Sequence, residues 1–136
     1  MSENTPLLFI LHKPTEQKLD QFGLTGRLES CPSIELRPRY SYFQFIKLIK
    51  NASFVITDGG SNQEECYYMG KPCIIMRTTS ERQEGLGNNA VISNYDSARV
   101  LAAVENIESY QTQPVSLDIS PSELIADKLI ELDGAP

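Results

Sequence analysis

The sequence predicts a single α/β domain in which helices flank a parallel β-sheet. Two observations lead to this class: short apolar runs bounded by turn residues, and helix-like stretches with start and stop signals between them. Runs that are apolar almost throughout are typical of parallel strands covered on both faces. Strand and helix alternate about five times, and this order indicates right-handed crossover connections.

Five short runs account for the predicted strands. Four of them are apolar nearly throughout, and the one that follows Pro32 is the weakest of the five. Turn residues bound these runs, as expected of short buried strands. In chain order the predicted strands are Leu7–Leu11, Ile34–Leu36, Ser53–Thr57, Cys73–Met76 and Ala90–Ser93.

The stretches between and after these strands contain helix signals. A serine followed three residues later by glutamine or glutamate predicts two helix starts through a capping box. Proline at a first helical position predicts the start of the last helix. The predicted helix starts are Thr15, Ser41 with Gln44, Ser61 with Glu64, Asp96, and Ser120 with Pro121. The first helix is expected to end at Gly23, and the third before Gly70.

The charge balance argues against two classes of partner. The 136 residues contain 12 Lys and Arg against 18 Asp and Glu, which gives a net charge of −6. Nucleic-acid-binding proteins usually present a basic face, and anionic membrane surfaces attract basic segments. The longest aliphatic and aromatic run, Leu7–Leu11, is far shorter than the roughly 20 residues that span a bilayer. We therefore expect neither nucleic acid nor a membrane as a partner.

Cysteine and histidine usage argues against a metal site. The number of cysteines is odd, and no two of them have the spacing of a structural zinc site; they are Cys31, Cys66 and Cys73. His12 is the only histidine, which excludes a site built from several histidines. Reduced thiols, and a polar, acidic start unlike a signal peptide, lead us to expect a cytoplasmic protein.

Residues 57–65, which read TDGGSNQEE, follow a predicted strand and begin a predicted helix. In open parallel sheets, ligands bind at the carboxyl ends of the strands. A helix start there offers unpaired N–H groups and a partial positive charge, and glycines let the backbone approach a phosphate closely. The stretch matches neither a Walker motif nor GxGxxG. On the pattern alone, a phosphate site and a tight turn with a Ser61–Glu64 capping box both remain open.

Three motifs follow one another in this part of the chain. They read DGGSNQEE at residues 58–65, MGKP at 69–72 and RTTSERQE at 77–84, and Phe45 precedes them on a predicted helix. In this order and spacing they resemble the C-terminal half of the non-hydrolysing UDP-N-acetylglucosamine 2-epimerases. That family has an aromatic residue on a helix, then a strand and DSGGxQEE, LGKP, a second strand and RxxTERPE. Weaker similarity extends from His12 to the final helix.

The chain departs from this family pattern at several positions. Gly59 stands where the family has serine, Ser61 where it has its second glycine, and Gln83 where it has proline. The family's phosphate-binding hydroxyl has therefore either moved two positions or been lost. Residues 85–89, GLGNN, also differ from the family's continuation. The resemblance thus implies the superfamily and leaves the exact sugar open.

The resemblance implies a UDP-binding site, with no certain catalytic residue in this chain. Phe45 packs against uracil, Glu65 accepts hydrogen bonds from the ribose, and Arg82 contacts phosphate or sugar in this interpretation. The backbone of residues 59–61 holds the diphosphate, and His12 faces the cleft. The implied UDP-binding residues are His12, Phe45, Gly59, Gly60, Ser61, Glu65 and Arg82.

Ordinary structural roles remain open for the same side chains. Phe45, on an apolar helix face, also fits a core residue, and Glu65 fits a helix-start charge that the helix dipole stabilises. His12 fits a loop histidine, and the arginines fit solvated loop charges. We expect two glutamates near the arginines to pair with them rather than to act as acid and base. The residues of these expected pairs are Arg77, Glu81, Arg82 and Glu84.

By the same resemblance, residues 1–136 form one nucleotide-sugar-binding domain, the Rossmann-like C-terminal half of a two-domain GT-B fold. The family's main acid–base carboxylates lie in the N-terminal domain. We expect this chain to lack that domain and to be inactive alone. The whole protein would eliminate UDP from UDP-N-acetylglucosamine and return it after inversion at C2, giving UDP-N-acetylmannosamine. UDP or a UDP-N-acetylhexosamine is the implied ligand, and no further cofactor is implied.

The last predicted helix has an apolar strip on one face. The helical period places Leu124, Ile125, Leu129 and Leu132 together. We expect this strip to be exposed and to be the docking face for the missing domain, since large exposed apolar patches usually mark interfaces. Self-association of the chain, for example as a homodimer, is the expected consequence.

Two other functions remain open. A glycosyltransferase domain of the GT-B fold also combines a carboxylate like Glu65 with a Gly-x-Pro turn like residues 70–72. A nucleotide-binding module without catalysis is the other alternative. The epimerase's own N-terminal motifs, found upstream of this chain, would distinguish an epimerase from a glycosyltransferase. Turnover by the 136-residue chain would exclude the module without catalysis.

Overall fold

A computed structural model describes residues 5–116 and 120–133 of the chain. The strands are β1 (Leu7–Leu11), β2 (Ile34–Pro38), β3 (Val55–Thr57), β4 (Cys73–Ile75) and β5 (Ala90–Ile92). The helices are α1 (Lys13–Gln21), α2 (Thr25–Glu29), α3 (Tyr42–Asn51), α4 (Gly60–Tyr68), α5 (Ser97–Glu105) and α6 (Pro121–Asp133). A 3₁₀ turn, Ile107–Tyr110, follows α5.

All strand pairs are parallel, which confirms the predicted α/β class. β1 pairs with β2 in one sheet, and β3, β4 and β5 form a second sheet in that order. Val55 lies opposite Cys73, which in turn lies opposite Ala90. Because these three strands run in the same direction, their carboxyl ends meet at one edge of the sheet. The segments after β3 and after β4 both leave from this edge.

The main apolar cluster lies between the second sheet and the helices that pack on it. Its buried members come from α3, α4, β4 and β5, and they are Ile49, Cys66, Cys73, Ile75 and Ala90. A hydrogen bond with Cys66, together with burial, raises the pKa of Cys73. Cys73 therefore stays protonated and packs as a small apolar side chain.

Three predicted helix starts are confirmed. Gln44 Oε1 accepts hydrogen bonds from the backbone N–H and the hydroxyl of Ser41, at 3.2 and 2.7 Å. Asp96 Oδ1 accepts a hydrogen bond from the backbone N–H of Ala98 at 2.8 Å. α6 begins at Pro121, as its first-position proline predicts.

The first helix starts earlier than predicted. α1 begins at Lys13 with His12 as its cap, and not after Thr15. Pro14 explains the difference, because proline is favoured in the first helical turn, where its missing N–H has no cost. The short helix α2 was not predicted, and the Thr25 hydroxyl at its start donates to Asp20 at 2.6 Å.

α4 also starts earlier than predicted. It begins at Gly60 with Gly59 as its cap, so Ser61 lies inside the first turn. The expected Ser61–Glu64 capping box is therefore wrong, and Glu64 forms an ion pair with Arg82 instead. A serine that is itself helical cannot adopt the extended backbone of a cap residue.

The two ends of the described chain are more exposed than its middle. Leu8 and Phe9 of β1 are 40% and 37% exposed, so the expectation that this strand is covered on both faces is wrong. Every residue of α6 is exposed, including the four of the predicted apolar strip, which confirms that the strip is open. Among the described helices, none is both long enough and apolar enough to cross a membrane.

Candidate functional site

The candidate site forms where the turn after β3 meets the segment after β4. A Cβ atom added to Gly60 would lie 2.7 Å from Glu81 Oε1 and 3.3 Å from Arg82 Cγ. Glycine therefore allows these two segments to pack closely without displacing either side chain. The structure thus brings together Gly60 and Arg82, two residues that the motifs single out.

A buried threonine holds the glycine turn in position. Thr57 Oγ1, at the end of β3, accepts hydrogen bonds from the Gly59 backbone N–H at 3.0 Å and from the Asn62 side-chain amide at 2.7 Å. These bonds join the strand end to the first turn of α4. Thr57 is absent from the predicted site residues. A hydroxyl residue between an apolar run and two glycines is the sequence signal that could have revealed it.

The start of α4 has the geometry of an anion-binding site. Gly59 is the cap residue, and among the residues that the structure describes no side chain caps the helix. The first N–H groups of an α-helix have no partner within the helix, and the helix dipole adds a partial positive charge there. Ser61 is exposed in the same turn. A phosphate is the kind of ligand that this arrangement favours.

Arginines and carboxylates surround the turn. Arg82 Nη1 lies 2.8 Å from Glu64 Oε1, and Arg77 Nη1 lies 2.6 Å from Glu81 Oε2. A hydrogen bond from its own backbone lowers the pKa of Glu81, and the two arginines lower it further. The expected pairing of Glu81 with an arginine is confirmed. That of Glu84 is wrong: its Oε2 atom is buried with no hydrogen-bond partner in the described structure, and Arg82 pairs with Glu64.

Glu65 lies one turn along α4, partly buried beside Tyr42 of α3. The Tyr42 hydroxyl faces the Glu65 carboxylate and stabilises its charged form. Burial raises the pKa of Glu65 and the charge of Glu64 adds to this, whereas the Tyr42 hydroxyl opposes it. The charge of Glu65 in turn raises the pKa of Tyr42. Glu65 is therefore a partly buried carboxylate with a hydroxyl group beside it. Tyr42, which the motifs do not include, is part of its environment.

The other two predicted residues lie on different elements. Phe45 of α3 is partly buried and packs against the main apolar cluster. His12 is exposed at the carboxyl end of β1, where it caps α1. Within residues 5–116 and 120–133, no side-chain hydrogen bond or ion pair joins His12 to the turn at Gly59. In the same residues, no group of three or more His, Cys, Asp or Glu side chains could hold a metal ion.

Comparison with known proteins places these features in a family. A family model described as UDP-N-acetylglucosamine 2-epimerase matches residues 1–121. The UDP-N-acetylglucosamine 2-epimerase of Methanococcus maripaludis is 35% identical over 102 residues, which cover 74% of this chain and 28% of that protein. The corresponding protein of Salmonella typhimurium is 29% identical over 116 residues, which cover 82% of this chain and 30% of that protein. The chain thus spans less than a third of the length of these relatives.

The fold leads to the same family. The crystal structure of Methanocaldococcus jannaschii UDP-GlcNAc 2-epimerase, solved in complex with UDP-GlcNAc and UDP, superposes with a TM-score of 0.79 at 25% identity. The superposition covers 94% of this chain and 36% of that one. Because the family model matches residues 1–121, most of the chain, this chain belongs to the UDP-N-acetylglucosamine 2-epimerase family.

Proposed function

We propose that this chain is the UDP-binding domain of a UDP-N-acetylglucosamine 2-epimerase. The observation that supports this most strongly is the packing of Arg82 on Gly60 at the uncapped start of α4. This geometry puts a guanidinium group beside a helix start, and both groups favour a diphosphate. Membership of the epimerase family adds the nucleotide sugar as the source of that diphosphate.

In this proposal the diphosphate lies on the backbone of residues 59–61. It replaces Glu64 as the group that pairs with the Arg82 guanidinium. Glu65, one turn along the same helix, accepts hydrogen bonds from the ribose in place of the Tyr42 hydroxyl. Phe45 contacts the uracil ring, and His12 approaches the cleft from β1. These proposed UDP-binding residues thus hold the UDP group both while the sugar is attached and after it has left.

The whole protein then interconverts UDP-N-acetylglucosamine and its C2 epimer by elimination and return of UDP. This chain holds the leaving group in place, so that it is available for the return step. The rest of the protein forms a second domain that supplies the acid–base carboxylates and closes the other side of the cleft. This division agrees with the 28% of the Methanococcus maripaludis relative that the chain covers.

The test is calorimetric titration of UDP into the 136-residue chain and two variants. Glu65→Ala and Arg82→Ala each remove a charge-assisted hydrogen bond of about 1.5–3 kcal/mol, so each should weaken UDP binding roughly tenfold or more. Glu105→Ala and Arg27→Ala remove exposed charges of the same types on α5 and α2 and should leave the affinity unchanged. Equal affinity in all five proteins would contradict the site.

The exposed strip of α6 is the proposed docking face for the second domain. Without that domain, the chain should self-associate at high concentration, because the strip remains open to water. Leu129→Lys places a charge in the strip and should shift the sedimentation profile towards monomer. Asp127→Ala, an exposed polar position on the same helix, is the control. A wild-type chain that stays monomeric at all concentrations would count against this role.

A further inference from the structure

Gln63 is a buried polar side chain at the centre of the candidate site. It lies on α4, three residues after Gly60, and its exposed fraction is 0%. A glutamine amide has two N–H donors and a carbonyl acceptor, and leaving them unpaired inside a protein is costly. Its position therefore depends on the partners that it finds in the segment after β4.

Those partners flank Arg82 on both sides. Gln63 Nε2 donates to the backbone carbonyl of Arg82 at 3.2 Å and to that of Glu84 at 2.8 Å. Gln63 Oε1 accepts a hydrogen bond from the Ser80 hydroxyl at 2.5 Å. The same hydroxyl oxygen accepts from the Arg82 backbone N–H at 3.2 Å. Both backbone polar groups of Arg82 are thus held, one by Gln63 and one through Ser80.

The side chain of Arg82 is held by neighbours of Gln63 on the same helix. Its aliphatic part packs over Gly60, and its guanidinium group pairs with Glu64. Residues three and four apart lie on one face of a helix, so this face contacts the whole segment. The backbone contacts of Gln63, unlike the exposed ion pair with Glu64, are shielded from water.

We propose that Gln63 is the positioning residue that holds Arg82 over the glycine turn. This inference rests on the proposed function and deepens it, since it says what puts the phosphate-binding guanidinium in place. Gln63 itself makes no contact with the ligand. Its loss should release the backbone of residues 80–84, so that Arg82 no longer points at the diphosphate in most molecules.

The first test is a double-mutant cycle on UDP affinity, measured by calorimetry with the 136-residue chain. Gln63→Ala should weaken UDP binding roughly tenfold, as Arg82→Ala does. The double variant should bind no more weakly than Arg82→Ala alone, because Gln63 acts through Arg82. Gln63→Glu keeps the size and the acceptor but cannot donate to the two carbonyls when ionised, and it should behave as Gln63→Ala. Gln17→Ala, an exposed glutamine on α1, is the control.

Uridine distinguishes positioning from a general structural role. Uridine lacks the diphosphate, so its affinity, followed by NMR chemical shifts, should be the same for wild type and Gln63→Ala. Additive losses in the cycle, unchanged UDP affinity in Gln63→Ala, or an equal loss for uridine would overturn the proposal.

Amide hydrogen exchange separates this proposal from the proposed function. Exchange at Arg82 should accelerate in Gln63→Glu and Gln63→Ala, and not in Gln17→Ala. If wild type binds no UDP, the nucleotide site is wrong, while accelerated exchange still supports the positioning of Arg82. Unchanged exchange at Arg82 overturns the positioning, whatever UDP does.

Discussion

The amino-terminal unit from β1 to β2 and the unit from β3 to α5 use similar elements in different ways. Every residue that is buried in the described chain lies between Ile49 and Ala103. Residues 5–38 contain two strands and two helices, and all of them are partly or fully exposed. The glycine turn that we propose binds the nucleotide belongs to the buried unit, whereas His12 belongs to the exposed one.

The two units differ in how precisely they can hold a functional group. In the second unit, Thr57 and Gln63 are buried and fix the backbone of the turn and of the segment that covers it. In the first unit, His12 is held by its backbone at the end of β1, beside an exposed strand face. Side chains locked by packing and hydrogen bonds keep a geometry that an exposed residue does not.

The largest expected effect is on the free energy of unfolding when a buried aliphatic side chain is truncated, compared with an exposed one. Ile74→Ala removes a side chain that is 1% exposed at the centre of the second sheet, and it should lower the free energy of unfolding by about 4 kcal/mol. Leu8→Ala, in a strand that is half open, should lower it by about 1 kcal/mol. Urea denaturation of both variants measures the difference, and equal losses would show that the two units are equally packed.

Two glycines with the same backbone conformation extend the comparison. Gly70 and Gly23 have φ values of +66° and +64°. A Cβ at Gly70 would clash with the backbone carbonyl oxygen of Thr112, whereas a Cβ at Gly23 would meet no atom of the described part of the chain within 4 Å. Gly70→Ala should therefore lower the free energy of unfolding by about 3 kcal/mol, because backbone strain adds to the overlap of the new Cβ with the Thr112 carbonyl. Gly23→Ala should lower it by only about 1 kcal/mol, from backbone strain alone. Thermal unfolding of the pair checks this, and a larger loss at Gly23 would reverse the comparison.

The smallest expected effect concerns the partly buried carboxylate of Glu65. Because its pKa is raised, UDP-N-acetylglucosamine affinity should fall as the pH drops through that pKa, since a protonated carboxyl accepts hydrogen bonds less well. The difference between a charged and a neutral hydrogen bond is about 1 kcal/mol, or roughly fivefold in affinity. Tyr42→Phe removes the hydroxyl that holds the pKa down, so the fall should begin at a higher pH.

Glu65→Gln is the control for this pH dependence. It should bind more weakly than wild type at neutral pH and show no fall of the same kind on acidification. The sugar nucleotide is preferred to UDP here, because its diphosphate has no terminal group that titrates in the same range. An identical pH profile in wild type and Glu65→Gln would contradict the assignment of the fall to this carboxylate.

Local sequence patterns are enough to predict the strand positions, the parallel order and the glycine turn. These signals act on the backbone within a few residues, so the element bounds that they predict differ little from those observed. They are the short apolar runs, the Ser41–Gln44 box, Asp96 and Pro121. The three motifs at 58–65, 69–72 and 77–84 also led to the family, because their spacing is a property of the chain.

The contacts between side chains depend instead on how elements far apart in the sequence pack together. Gln63 contacts residues 17 to 21 positions away, and Arg82 pairs with Glu64 rather than Glu84. The exposure of Leu8 likewise depends on what packs against β1. The physical reason is that local preferences set φ and ψ, whereas contacts across a crossover depend on how two strand ends align in the sheet.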